Sequence, residues 1–255
     1  MFDPLFLFLF GLIVGSFCNV LIYRLPAGES IITPGSHCRA CATPIAPWDN
    51  IPLLSYLLLA GRCRRCGEHI SPRYPCVEVA SGALYVLLWF KYGLTPALMV
   101  YAVLISILLV VAFIDFDHAI IPNRITYPGM LLGLGFSVWA GPIRPLWGSA
   151  FLASLVGLVA GGLFLYLVAL ISKGGMGGGD IKLIAMIGAF VGWQGALFTI
   201  FVGACIGSLV GITLMLLGQK GRKDKIPFGP YLALGALLFT CIGDELIAWY
   251  MDLTF

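Results

Sequence analysis

Long apolar runs separated by short polar breaks fill most of this chain, and one long polar stretch interrupts the pattern early. About 20 consecutive apolar residues cross the hydrocarbon core of a bilayer. On that template the chain predicts eight helices, at about 2–23, 78–92, 96–114, 125–141, 148–171, 181–192, 194–217 and 228–250. The second and sixth are short, which suits a tilted, broken or re-entrant segment. The expected fold class is an all-α polytopic membrane protein. Its expected parts are a first transmembrane helix (1–23), a polar loop domain (24–77) and a transmembrane domain (78–255).

Composition sharpens this picture. The 255 residues are 60% hydrophobic and 11% charged, too few charges for a soluble domain of this length. Mean hydropathy is +0.99. The first apolar run lacks a basic leading region and is too long for a signal peptide, so it reads as a transmembrane helix. With the N-terminus outside, the inner loops collect Arg24, Arg39, Arg62, Arg64, Arg65, Arg73, Arg124, Lys173, Lys182, Lys220, Arg222, Lys223 and Lys225. Only Lys91 and Arg144 then fall outside, as the positive-inside rule expects. The same topology places Asp115, Asp117 and Asp180 at cytoplasmic helix ends. The net charge of +3 is modest. The basic residues are accounted for by topology and by contact with anionic lipid, so the bilayer is the expected partner and nucleic acid is not.

The polar stretch holds Cys38-x-x-Cys41 and Cys63-x-x-Cys66. Two such pairs about twenty residues apart read as a four-thiolate zinc site, because two knuckles at this spacing can converge on one ion. Four protein ligands leave no position for water, so the expected role is structural. The loop then becomes a cytoplasmic zinc-ribbon-like element between helices 1 and 2, folded by its metal. The arginines around Cys63 and Cys66 are expected to favour thiolates, and Asp49 to Tyr56 to form a short element between the knuckles. Disulfides are disfavoured on the reducing side of the membrane. Glu78 opens the second predicted helix, where a carboxylate complements the helix dipole.

Carboxylates at the ends of membrane helices are costly and mark candidate sites. Asp115 ends one predicted helix, and Asp180 opens another after Gly177, Gly178 and Gly179. Glycines there free the backbone for unusual conformations and for close approach of an extended substrate. Lys182 stands two residues on, positioned to tune the site or bind headgroups. Two facing carboxylates with a water between them form an acid–base pair for hydrolysis. Asp117 is an alternative to Asp115, since adjacency does not choose between them. His118 reads as a solvated loop residue. The glycine string follows no strand, so it is not read as a nucleotide loop. A proton-coupled transporter with a zinc-ribbon regulatory loop is the competing function, and it expects carboxylates nearer the bilayer midplane.

Several motifs together resemble one family. They are Gly15-Ser-Phe-Cys-Asn-Val20 with Arg24-Leu-Pro26, both CxxC pairs, Asn50-Ile-Pro-Leu-Leu-Ser-Tyr56, and Ser71-Pro-Arg-Tyr-Pro75 with Glu78. Ile114-Asp-Phe-Asp-His118, Gly175-Met-Gly-Gly-Gly-Asp-Ile-Lys182 and Ile226-Pro-Phe-Gly-Pro230 complete the set. In this order they resemble the bacterial type IV prepilin peptidases, GxGD-type aspartyl proteases with a second, N-methyltransferase activity. The resemblance implies cleavage of prepilins or pseudopilins after a glycine at the cytoplasmic face of the inner membrane. It also implies methylation of the new N-terminal residue by S-adenosylmethionine, in the service of type IV pili or type II secretion. It assigns catalysis to Asp115, six residues before Ile121-Pro122, and to Asp180. Methyl transfer falls to the cysteine-bearing region, with Arg24, Arg73 and Glu78 as methyl-donor candidates. Asn123 stands where many relatives carry Asp.

Overall fold

The computed structural model describes residues 4–139, 150–172, 176–219, 221 and 226–254. Residues 2–3, 140–141 and 148–149 of the predicted helices lie outside these, as do Lys173, Gly174, Gly175, Arg144, Lys220, Arg222, Lys223 and Lys225. The regular elements among the described residues are helices, with no strand beyond two isolated bridges. Two compact units divide the chain, Met1–Gly93 and Leu94–Phe255.

The first unit holds α1 (Pro4–Ala27), a 3-10 turn (Pro47–Asn50), α2 (Leu54–Leu58) and α3 (Arg73–Tyr92). α1 packs on α3 through small residues. A Cβ on Gly11 would lie 2.6 Å from the Gly82 Cα, and one on Gly15 would lie 2.7 Å from the Glu78 Cα. Such spacing lets membrane helices approach backbone to backbone, where dispersion, not water exclusion, supplies the attraction. α3 begins five residues before the expected position 78, so Arg73 and Glu78 both belong to the helix.

The second unit holds α4 (Pro96–His118), α5 (Asn123–Trp139), α6 (Ala150–Ile171), α7 (Gly178–Leu216) and α8 (Gly229–Thr254). Pro96 starts α4 just after Thr95, where its fixed φ suits a first turn and its missing N–H is not needed. The sixth and seventh predicted segments share α7, which breaks at Gly192 with φ 76° and ψ 177°. Glycine adopts that conformation without a Cβ penalty. α6 crosses here, and a Cβ on its Gly157 would overlap the Gly188 carbonyl. α1, α4, α6 and α7 are long and apolar enough to cross a membrane, and α8 carries a shorter apolar stretch, Gly229–Gly243. The eight expected segments are thus accounted for by seven long helices among the described residues.

Candidate active site and metal-binding loop

In the second unit Asp115 lies in the last turn of α4, as expected, and is 5% exposed. The helix closes on Ala119, a left-handed residue at φ 52° whose N–H is bonded to the Asp115 carbonyl. Ile121-Pro122 then turn the chain into α5. The Asp115 side chain is held from a distant part of the sequence, because the Gly229 N–H at the start of α8 donates to Oδ2 at 2.8 Å. A Cβ on Gly229 would stand 2.7 Å from that oxygen, so the bond depends on the missing side chain. Asp180 sits in the first turn of α7, half-buried and within electrostatic reach of Asp115. Asp117, two residues along α4, is exposed.

The glycines before Asp180 differ from expectation. Gly177 caps α7 at φ −73°, and none of Gly177, Gly178 and Gly179 has a positive φ. Space matters more than conformational freedom at Gly179, where a Cβ would lie 2.9 Å from the Cβ of Ile121. That contact brings the chain leaving α4 against the start of α7. Gly178 is exposed with open space around it. The Lys182 Nζ donates to Asn123 Oδ1 at 2.9 Å and lies 5.4 Å from the Tyr127 ring centroid, so it ties α7 to α5.

In the first unit the four predicted ligands converge. The sulfurs of Cys38, Cys41, Cys63 and Cys66 lie within 4.8 Å of one another, with Cys38 and Cys66 at 3.8 Å. A tetrahedral ion with Zn–S bonds of about 2.3 Å needs sulfur–sulfur edges of roughly 3.8 Å, so the cluster could hold zinc. Both knuckles share one fold: the Ala42 N–H bonds to the Cys38 carbonyl and the Gly67 N–H to the Cys63 carbonyl, each at 2.9 Å. Both turn residues have positive φ, 55° at Ala42 and 73° at Gly67.

Thiolates are favoured here by neighbouring hydrogen bonds more than by arginine charge. Thr43, first through its hydroxyl and then its backbone N–H, pulls the Cys41 thiol down to about 6. The backbone N–H groups of Cys66 and Arg65 lower Cys63. The Glu68 N–H favours a Cys66 thiolate, but desolvation and the other three sulfurs outweigh it and push that thiol up to about 12. Without a cation, the fourth negative charge is the expensive one. Arg64 instead forks onto Asp49, with contacts of 2.7 to 3.1 Å, and holds that carboxyl below its usual range. Arg39 stacks its guanidinium 3.4 Å from the Tyr23 ring centroid of α1 and 5.6 Å from that of Tyr74 on α3. Each knuckle is therefore docked by an arginine of its own, and sequence reasoning gave neither residue that role.

A cavity of about 1180 Å³ opens beside the knuckles, with Arg24 and Glu78 among its walls along with Tyr23, Trp48 and Tyr74. Arg73 is not one of them. Arg24 is buried and donates to the carbonyls of Ser30, Pro34 and Gly35 at 2.7 to 3.2 Å, which fastens the loop after α1. Glu78 is 7% exposed. It stands in the second turn of α3, not the first, so the helix dipole does not account for it. Its Oε2 accepts the Leu53 N–H at 2.7 Å. Leu53 has φ 60° and ψ −49°, and the Leu54 N–H reaches back to the Pro52 carbonyl at 2.6 Å. This is a γ-turn of the rare positive-φ kind, a conformation that costs a non-glycine residue about 1–3 kcal/mol. Nothing in the local sequence announces it.

The fold defines a polytopic membrane protein, with a buried Asp115 and a half-buried Asp180 in one unit and four converging cysteines in the other. The comparisons with known proteins narrow the class. Residues 9–92 match the model for the bacterial peptidase A24 N-terminal domain, and residues 102–212 match the type IV leader peptidase family. A prepilin leader peptidase/N-methyltransferase of Bacillus subtilis (strain 168) is 38% identical over 97% of this chain and 97% of its own. One of Myxococcus xanthus (strain DK1622) is 41% identical over 88% of this chain and 68% of its own, and one of Pseudomonas putida 36% over 95% and 92%. No solved structure matches. The chain belongs to the type IV leader peptidase family, as a membrane protease with methyltransferase activity.

Proposed function

We propose that this protein cleaves the leader of type IV prepilins or pseudopilins after a glycine, at the cytoplasmic face of the inner membrane, and then N-methylates the residue it exposes. The observation that carries the peptidase half is Asp115, buried, oriented by the Gly229 N–H and within electrostatic reach of Asp180. Oδ2 of Asp115 already accepts that bond, which leaves Oδ1 with its full accepting capacity for a water. One carboxyl takes the water's proton while the other donates to the scissile carbonyl oxygen, and no covalent intermediate forms. This step needs one proton held between the two carboxyls, which neighbouring acids supply as a pair. Asp117 remains the alternative partner, and its exposure disfavours it. Gly177, Gly178 and Gly179 offer exposed or half-exposed backbone beside Asp180 along which an extended substrate can lie.

The methyl-transfer half belongs to the cavity of the first unit. Its volume exceeds the 300–1,000 Å³ or so of common small-molecule pockets, which leaves room for a donor and a peptide end. Aromatic walls and buried charges of both signs suit S-adenosylmethionine, which when bound supplies an electrophilic methyl group. Glu78 and Arg24 line that space, and Arg73 borders it in sequence only. Zinc held by the four cysteines has a structural role, fixing the knuckles that carry Arg39 and Arg64.

The test is mass spectrometry of a model prepilin incubated with the purified protein. Asp115→Asn and Asp180→Asn should each abolish leader loss, whereas Asp117→Asn should retain it. Cleavage by either of the first two variants, or its loss only in the third, rejects the dyad.

A further inference from the structure

We infer that Glu78 is the acceptor-amine site of the methyl-transfer cavity, binding an alkylammonium and taking a proton from it. The inference rests on methyl transfer occurring in the first unit. It adds a residue that meets the acceptor, where the resemblance offered Glu78 only as a candidate for the donor.

Four observations converge on Glu78. Its carboxylate is buried and lines the cavity. It makes no ion pair among the described residues, although Arg62 and Arg65 also line the cavity; Arg24 is turned to three carbonyls, Arg39 to the Tyr23 ring and Arg64 to Asp49. Its hydrogen bonds come from neutral donors, the Leu53 N–H and the Ser16 hydroxyl. Finally, its position is rigid. The helix carrying it is seated on Gly15, and a strained turn aims the Leu53 N–H at Oε2. A buried carboxylate is costly unless a positive charge meets it, and a rigid uncompensated one in a cleft marks a place where a cation arrives.

The reaction supplies such a cation. Peptide cleavage exposes an α-amine, protonated near neutral pH, whose lone pair is unavailable until a proton leaves. Glu78 pairs with the ammonium and accepts one proton at a carboxylate oxygen, giving a neutral amine and a carboxylic acid. The amine nitrogen then forms its bond to the methyl carbon as the carbon–sulfur bond breaks. That electron pair returns to sulfur, leaving a neutral thioether and a methylammonium, and Glu78 returns its proton to water. The donor also carries cationic centres, so the experiment has an arm for each source.

The full-length protein in detergent is titrated with a peptide matching the mature N-terminal segment of a prepilin, either free or acetylated at its N-terminus. A second titration uses S-adenosylhomocysteine. Wild type should prefer the free amine at least tenfold, and Glu78→Gln, which keeps an acceptor for the Leu53 N–H, should reduce the preference below threefold. S-adenosylhomocysteine affinity should stay within threefold, and Glu78→Asp should retain part of the preference. An undiminished preference in Glu78→Gln overturns the inference. So does weakening confined to S-adenosylhomocysteine, which would assign Glu78 to the donor. If Glu78→Gln does not fold, the wild-type contrast decides, since no preference for the free amine rejects an ammonium site. Methyl incorporation by wild type is scored separately: its absence sinks the methyltransferase reading while the peptide preference is still measured.

Discussion

Gly229 offers the sharpest quantitative test of the candidate active site. In Gly229→Ala the new Cβ would stand 2.7 Å from Asp115 Oδ2 and 3.1 Å from its Cβ and Cγ. Carbon and oxygen do not approach much closer than about 3.2 Å without repulsion, so the carboxylate must retreat by roughly half an ångström or more. Asp115 is short, buried and fixed to a helix, which leaves it little room to comply. The displacement also breaks the 2.8 Å bond from the Gly229 N–H, a hydrogen bond to a charged group worth about 1.5–3 kcal/mol. A misplacement of about 1 Å costs on the order of a hundredfold in rate. The expected outcome is a drop in leader-cleavage kcat of roughly 30- to 300-fold with KM little changed, measured on a model prepilin in liposomes. Gly135→Ala is the matched control. Its Cβ meets nothing within 4 Å, so it should cleave at the wild-type rate. If Gly229→Ala cleaves within threefold of wild type while the control behaves as expected, Gly229 does not orient the dyad and the site must be redrawn.

Three further outcomes follow from the same geometry. Ala42→Gly relieves a left-handed alanine, gaining about 1–2 kcal/mol at the turn and giving back about 0.4–1 in unfolded-chain entropy. Metal loss to a chelator should slow a few-fold, whereas Cys63→Ser should remove the metal, as elemental analysis would report. Arg39→Ala removes an exposed cation–π contact of about 0.5–1 kcal/mol, so limited proteolysis should cut the loop a few times faster. An unchanged cutting rate would mean that the knuckle is docked by other means. Gly157→Val forces a side chain into the Gly188 carbonyl, and overpacking of this kind costs about 1–3 kcal/mol or more. The variant should unfold at lower temperature, and an unshifted transition would rule out the close α6–α7 crossing.

Much of this protein was legible from the chain alone because hydropathy and ligand spacing are local properties. The segment lengths gave the helices, including the break that falls at Gly192. Two CxxC pairs gave the converging sulfurs, since a knuckle is a few residues long and a shared ion dictates where two of them meet. Asp180 lay legibly at a helix start, beside its glycines. What tertiary structure decided lies between distant positions. Gly229 and Asp115 are 114 residues apart, and Leu53 and Glu78 are 25 apart. No local preference brings these pairs together, because each bond forms only when separate elements return to one place. The burial that distinguishes Asp115 from the exposed Asp117 has the same origin: the start of α8 closes over Asp115. Composition counts carboxylates, but packing decides which of them is dry, oriented and within reach of another.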